Sequence, residues 1–99
     1  MTREYLQLKN EFWSDLYVGS LSAQQKLVYI YLLMQHCLNG HDFFEISERR
    51  IAFETRVTED GVRWNIRELE RDGQIVRDGE KIRLVNAHKY VKSDTWGEI

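Results

Sequence analysis

Helical and strand periods divide the chain into a small number of elements. Ser22 followed three residues later by Gln25 has capping-box spacing, in which the hydroxyl accepts one orphan backbone N–H and the glutamine side chain reaches back. A helix is predicted to start there, with Leu27, Ile30, Tyr31, Met34 and Leu38 on one stripe. Val28, Tyr29 and Leu32 carry the apolar surface further round the cylinder, so this helix is expected to be covered on more than one side. Asn39-Gly40 ends it, glycine being suited to a left-handed cap. Upstream, Tyr5 to Lys9 and Phe12 to Val18 are rich in aromatic and aliphatic residues but follow neither period, and they read as a packed arm.

Phe43 to Ile46 has the composition of a short strand with Phe44 and Ile46 inward. Ser47 then caps a helix over 48–55 that offers Ile51 and Ala52 for packing, and Arg56-Val57 forms a turn. Thr58 caps the next helix, whose Val62, Ile66 and Leu69 fall on one side and which Gly73 stops. Two short runs follow, 74–77 and 81–85, separated by Asp78-Gly79-Glu80, a strong hairpin signal. With Asp78-Gly79 as the two-residue loop, Ile75 lies opposite Ile82 and packs inward with Leu84. Val76, Lys81 and Arg83 then take the other face.

This order predicts a mainly α domain with a small antiparallel β-hairpin, an α+β class, arranged as a winged helix-turn-helix. The expected parts are an N-terminal arm (1–20), a winged-helix core (21–85) and a C-terminal tail (86–99). Ninety-nine residues with 42% hydrophobic and 30% charged positions fit one globular domain. At about 100° per residue, Asp60, Trp64, Arg67 and Arg71 project away from the Val62/Ile66/Leu69 stripe, with Arg63 at the edge of that outer face.

Several phrases carry a resemblance. Leu21-Ser22 with Lys26 to Leu33, then Ile46-Ser47 with Arg50 to Thr55, then Ile66 to Ile75, and finally Asn86 with Lys89-Tyr90, resemble the N-terminal winged-helix domain of DnaD-like proteins and bacteriophage replisome organizers over roughly residues 12–91. The resemblance implies an accessory role in DNA replication initiation or helicase loading, through DNA contact, self-association or both. A transcriptional regulator is a further reading of such a fold. Arg56 stands where these turns often hold glycine. The second domain that usually follows in such proteins has no counterpart here, so its activities are not carried over.

The candidate DNA contacts are Arg63, Trp64, Arg67 and Arg71 on the outer helix face, with Lys81 and Arg83 on the hairpin. The arginines either enter a major groove or clamp phosphates, or they pair with Glu59, Glu68 and Glu70 as a solvated face. From Ser47 to Arg83 there are nine basic and nine acidic residues, and the whole chain carries a formal charge of −2, so any basic surface is local. Arg49 and Arg50 offer further backbone contacts or plain solubility. Trp64 either stacks on a base or covers a protein neighbour. A candidate protein interface comprises Phe12, Trp13, Tyr17, Val28 and Leu32. It is covered either by a second copy in a homodimer that presents two recognition helices, or by the arm of the same subunit. Replication proteins are further possible partners.

Catalytic layouts are absent: there is no glycine-rich phosphate loop and no supported Ser/His/Asp arrangement. His36-Cys37 with His41-Asp42 is the only group of metal-ligand types, but it lacks the spacing of a zinc site. The expectation is therefore a non-enzymatic protein with no metal and no cofactor. A single cysteine fits a reducing cytoplasm, the longest apolar run is too short to span a membrane, and the first residues lack the layout of a secretory signal.

Overall fold

In a computed structural model, residues 7–40 and 42–91 are described. The element order is α1 (Glu11–Ser14), α2 (Leu16–Gly19), α3 (Ala23–Leu38), β1 (Phe44–Glu45), α4 (Glu48–Thr55), α5 (Glu59–Arg71), β2 (Ile75–Asp78), β3 (Lys81–Leu84) and α6 (Ala87–Tyr90). The protein is mainly helical with one small antiparallel sheet, in the order β1-β3-β2.

The caps form at the expected residues. Gln25 N donates to Ser22 Oγ while Ser22 N donates to Gln25 Oε1, closing the capping box of α3. Ser47 and Thr58 accept from the N–H groups of Arg50 and Gly61 at the starts of α4 and α5. The arm differs from its expected irregular form, because it folds into two single-turn helices. Helices this short satisfy few of their own backbone groups and depend on outside partners. Asp15 supplies them: its carboxylate accepts from Tyr17 N and Val18 N, and from the Tyr90 hydroxyl at 3.0 Å.

The sheet departs from the expected hairpin in two ways. Phe44–Glu45 is not a lone strand but pairs with β3, placing Phe44 opposite Ile82 and Glu45 opposite Lys81. The two-residue loop is Gly79-Glu80 rather than Asp78-Gly79, so Asp78 faces Lys81 and Ile75 faces Leu84. Gly79 has φ +65° and Glu80 does not have positive φ, the pattern of a type II′ turn. That turn needs positive φ at its first central position only, which Gly79 supplies, whereas an Asp78-Gly79 loop would need Asp78 itself in the left-handed region. The slip moves each partner by two residues, and Ile75, Ile82 and Leu84 therefore stay inward.

The buried face of α3 also differs from the regular stripe. Val28, Tyr29, Leu32 and Leu33 are fully buried, and His36 and Cys37 nearly so. The stripe with the cleanest helical spacing faces outward instead: Leu27, Met34 and Leu38 keep 44%, 40% and 48% of their surface exposed. Two apolar faces compete on this helix, and the inner one is chosen by the aromatic residues that meet it. The Phe12 and Tyr90 rings pack edge to face at 5.5 Å, and Tyr29 and Tyr90 at 5.8 Å. Leu8 and Val91 form an antiparallel bridge, and Lys9 N donates to Tyr90 O. The core thus extends beyond the expected limits of 21–85, taking in Phe12 and Val18 on one side and Ala87, Tyr90 and Val91 on the other.

Truncating Phe12 to alanine should lower unfolding free energy by about 3–5 kcal/mol in urea titrations, as for other large aromatic deletions from a core. Acid should act through Asp15. The Val18 N–H, together with Tyr90 and Lys89, outweighs desolvation and holds its carboxyl below the ordinary 3.8. Its ionised form therefore favours the folded state above that value, and the contribution disappears as pH falls through the native pKa. Asp15→Asn should flatten this part of the acid limb when urea midpoints are followed between about pH 2 and pH 6.

Candidate nucleic-acid interface

Helices α4 and α5 are joined by the short turn 56–58, and its geometry sets how closely they cross. Arg56 occupies the left-handed region at φ +67°, and its N–H closes the end of α4 on Ala52 O at 2.8 Å. Val57 turns its side chain into the core. The turn comes so near the first turn of α5 that a Cβ on Gly61 would meet Val57 Cγ1 at 2.9 Å, so glycine is needed there. α5 buries Val62, Asn65, Ile66 and Leu69, which leaves Asp60, Trp64, Arg67 and Arg71 on its outer side as its helical spacing implies.

The three arginines of α5 do not have equivalent surroundings. Arg63 is enclosed by carboxylates: Nη1 donates to Asp60 at 2.7 Å, Nε to Glu48 at 3.2 Å, and Nη2 lies 3.5 Å from Glu59. Asp60 and then Glu48 hold its guanidinium pKa above the ordinary value. Arg71 pairs with Glu68 at 2.6 Å and Asp72 at 3.5 Å. Glu70, expected to pair along its own helix, instead accepts from Arg77 of β2 at 3.3 Å. Each exposed pair of this kind is worth only ~0.3–0.5 kcal/mol. Their effect on a ligand is larger, because a phosphate has to displace a carboxylate already in place.

Arg50 takes Glu54. Together these four arginines engage every carboxylate between Ser47 and Arg83 except Asp78 and Glu80. Of the nine cations in that segment, Arg49, Arg56, Arg67, Lys81 and Arg83 are left with no ion pair among the described residues. Arg67 is exposed on the outer face of α5, one turn from Trp64, which is 51% exposed. Lys81 stands between the cross-strand positions Glu45 and Asp78. Arg83 lies over the Phe43 ring at 5.2 Å, a cation–π contact that leaves the charge facing outward on the sheet.

The expected protein interface is largely not a surface. Phe12, Val28 and Leu32 are wholly buried within the subunit, because the arm folds onto α3 and occupies the face a second copy would need. Tyr17 is half-buried with its hydroxyl donating to Asp72 at 2.8 Å, and burial followed by Asp72 raises its pKa. Trp13 alone of that set stays open, 58% exposed and edge-on to Phe12. Phe53 on α4 and Leu16 in the arm are exposed apolar residues that periodicity did not single out, since neither belongs to a stripe.

His36 and Cys37 are buried on α3, His41 lies outside the described residues, and among the described residues no group of three or more His, Cys, Asp or Glu side chains could hold a metal ion. An open groove of about 200 Å³ runs between α3 and the start of α4, lined by Tyr31, Gln35, Glu45, Ile46, Ser47, Arg50 and Ile51. Tyr31 donates to Glu54 beside it, and burial with that carboxylate pushes its hydroxyl pKa up to about 12. Among the described residues no helix is long and apolar enough to cross a membrane. Comparison with protein-family models, curated proteins and solved structures returned no match for this chain.

Relieving the left-handed residue in the turn should stabilise the fold. Arg56→Gly is expected to raise unfolding free energy by roughly 0.5 kcal/mol in urea titrations, the αL penalty being partly offset by the greater freedom of glycine when unfolded.

Proposed function

We propose that the protein is a winged helix-turn-helix module that contacts nucleic acid with the outer face of α5. The order α3-β1-α4-α5-β2-β3, with β1 paired to β3, supports the winged-helix reading. The observation that carries the function is the pairing of an unengaged, exposed guanidinium, Arg67, with a half-exposed indole, Trp64, one turn away on that face. A guanidinium without a carboxylate partner is available to a phosphate or a guanine edge, and an indole beside it offers a stacking surface. Arg49, Arg56, Lys81 and Arg83 supply further unpaired cations on α4 and the sheet. Arg63 and Arg71 are placed in a supporting role, since their charge is already met by the subunit's own carboxylates. A part in DNA replication initiation is the biological setting suggested by the resemblance of the chain to DnaD-like and phage replisome organizer domains.

A second reading, protein docking without DNA contact, is favoured by one observation. Phe53, Trp13 and Leu16 are left open in addition to Trp64, in a chain whose formal charge is −2.

Fluorescence anisotropy against duplex and single-stranded DNA at two ionic strengths separates the two readings. Arg67→Ala should weaken binding and reduce the salt slope by about one unit. Arg63→Ala, which removes a guanidinium held by three carboxylates, should change binding less than Arg67→Ala. Absence of any salt-dependent binding would refute DNA contact and leave the docking reading.

A further inference from the structure

The outward face of α3 has a composition unlike the rest of the surface. Ala23, Gln24, Leu27, Ile30, Tyr31, Met34, Gln35 and Leu38 lie within one arc of the helix, and none is charged, although charged residues make up 30% of the chain. Leu27, Tyr31, Met34 and Leu38 are spaced four, three and four residues apart, the repeat of a helix–helix seam. Their spacing is also palindromic. About a midpoint between Leu32 and Leu33, Leu27 mirrors Leu38 and Tyr31 mirrors Met34.

We infer that this face is a seam for a second copy of the same chain, in which the two α3 helices pack antiparallel about a twofold axis at that midpoint. Leu27 then meets Leu38 of the partner subunit at each end, and Tyr31 meets Met34 of the partner subunit on either side of the axis, a thioether against an aromatic ring. An isologous contact requires this reciprocity, that position i touches j while j touches i. The absence of charge points the same way, because an uncharged strip pairs with a copy of itself without burying an unmatched ion.

Area sets the strength. Sixteen residues of helix are about 24 Å long, so with a contact width of about 10 Å the strip supplies only a few hundred Å². A stable interface hides about 800 Å² per partner. The expected dimer is therefore a reversible one, with a dissociation constant on the order of 10–100 µM. This inference does not rest on nucleic-acid contact, and it differs from the interface of Phe12, Val28 and Leu32, which the fold buries.

Sedimentation equilibrium of the full chain over a concentration series tests it. The wild type should pass from monomer to dimer mass across that range. Leu27→Lys and Leu38→Glu should each raise the dissociation constant about tenfold or more. The double variant should recover to within about threefold of wild type, because antiparallel packing brings the two opposite charges together across the axis. Met34→Lys, which sets like charges near the axis, should also weaken the dimer. All these positions are substantially exposed, so the variants should keep the wild-type thermal midpoint by circular dichroism. Monomer mass up to roughly 500 µM, single variants that leave dimerisation unchanged, or a double variant no better than the single ones would overturn the inference.

Discussion

The fold depends on one packing arrangement, the meeting of Phe12, Tyr29 and Tyr90. Each ring comes from a different part of the chain: the arm, the central helix and the last short helix. A four-residue helix cannot sustain itself, since nucleation costs more than one turn of hydrogen bonds returns. α1, α2 and α6 exist because these rings bury one another and because Asp15 ties the start of α2 to the Tyr90 hydroxyl. The same contacts decide which side of α3 faces inward. Once Tyr29 is committed to Phe12 and Tyr90, Val28, Leu32 and Leu33 are carried into the core, and Leu27, Met34 and Leu38 must point away.

A second constraint is electrostatic and local. The segment that carries α4, α5 and the hairpin has equal numbers of acidic and basic residues, yet they are not paired evenly. Arg63 alone holds Glu48, Glu59 and Asp60, which ties the start of α4 to the first turns of α5. Because one arginine takes three carboxylates, others elsewhere are left without any. An overall balance of charge is therefore compatible with an unengaged cation at the centre of an exposed helix face, and the position of Arg67 illustrates how little net charge says about a single site.

Much of the architecture was legible in the sequence because it is encoded locally. Ser22 with Gln25, Ser47, Thr58, Gly40 and Gly73 each act within one turn of their own position, and all appear where their chemistry places them. Long-range choices were not legible. The pairing of β1 with β3 joins residues nearly forty apart, and nothing in Phe44-Glu45 announces its partner. The hairpin slipped by one loop residue because both Asp78-Gly79 and Gly79-Glu80 can close a two-residue turn, and the backbone sign at Asp78 separates them. The face of α3 could not be read because apolar residues surround it, and the more regular stripe proved to be the outer one. For the candidate site, helical spacing gave the correct outward residues on α5. It could not say which arginines the carboxylates would occupy, since Glu70 turned to Arg77 on a neighbouring strand.

The bridge between Leu8 and Val91 has a topological consequence. It brings the two ends of the described fold to a single corner, so that the path from one to the other is almost a closed ring. Residues 7 and 91 both sit at that corner, held by the bridge and by the Lys9 N–H donating to Tyr90 O. A pull on either end would load the Leu8–Val91 clasp and the rings beneath it first, well before the hairpin or the turn at Arg56 felt the strain.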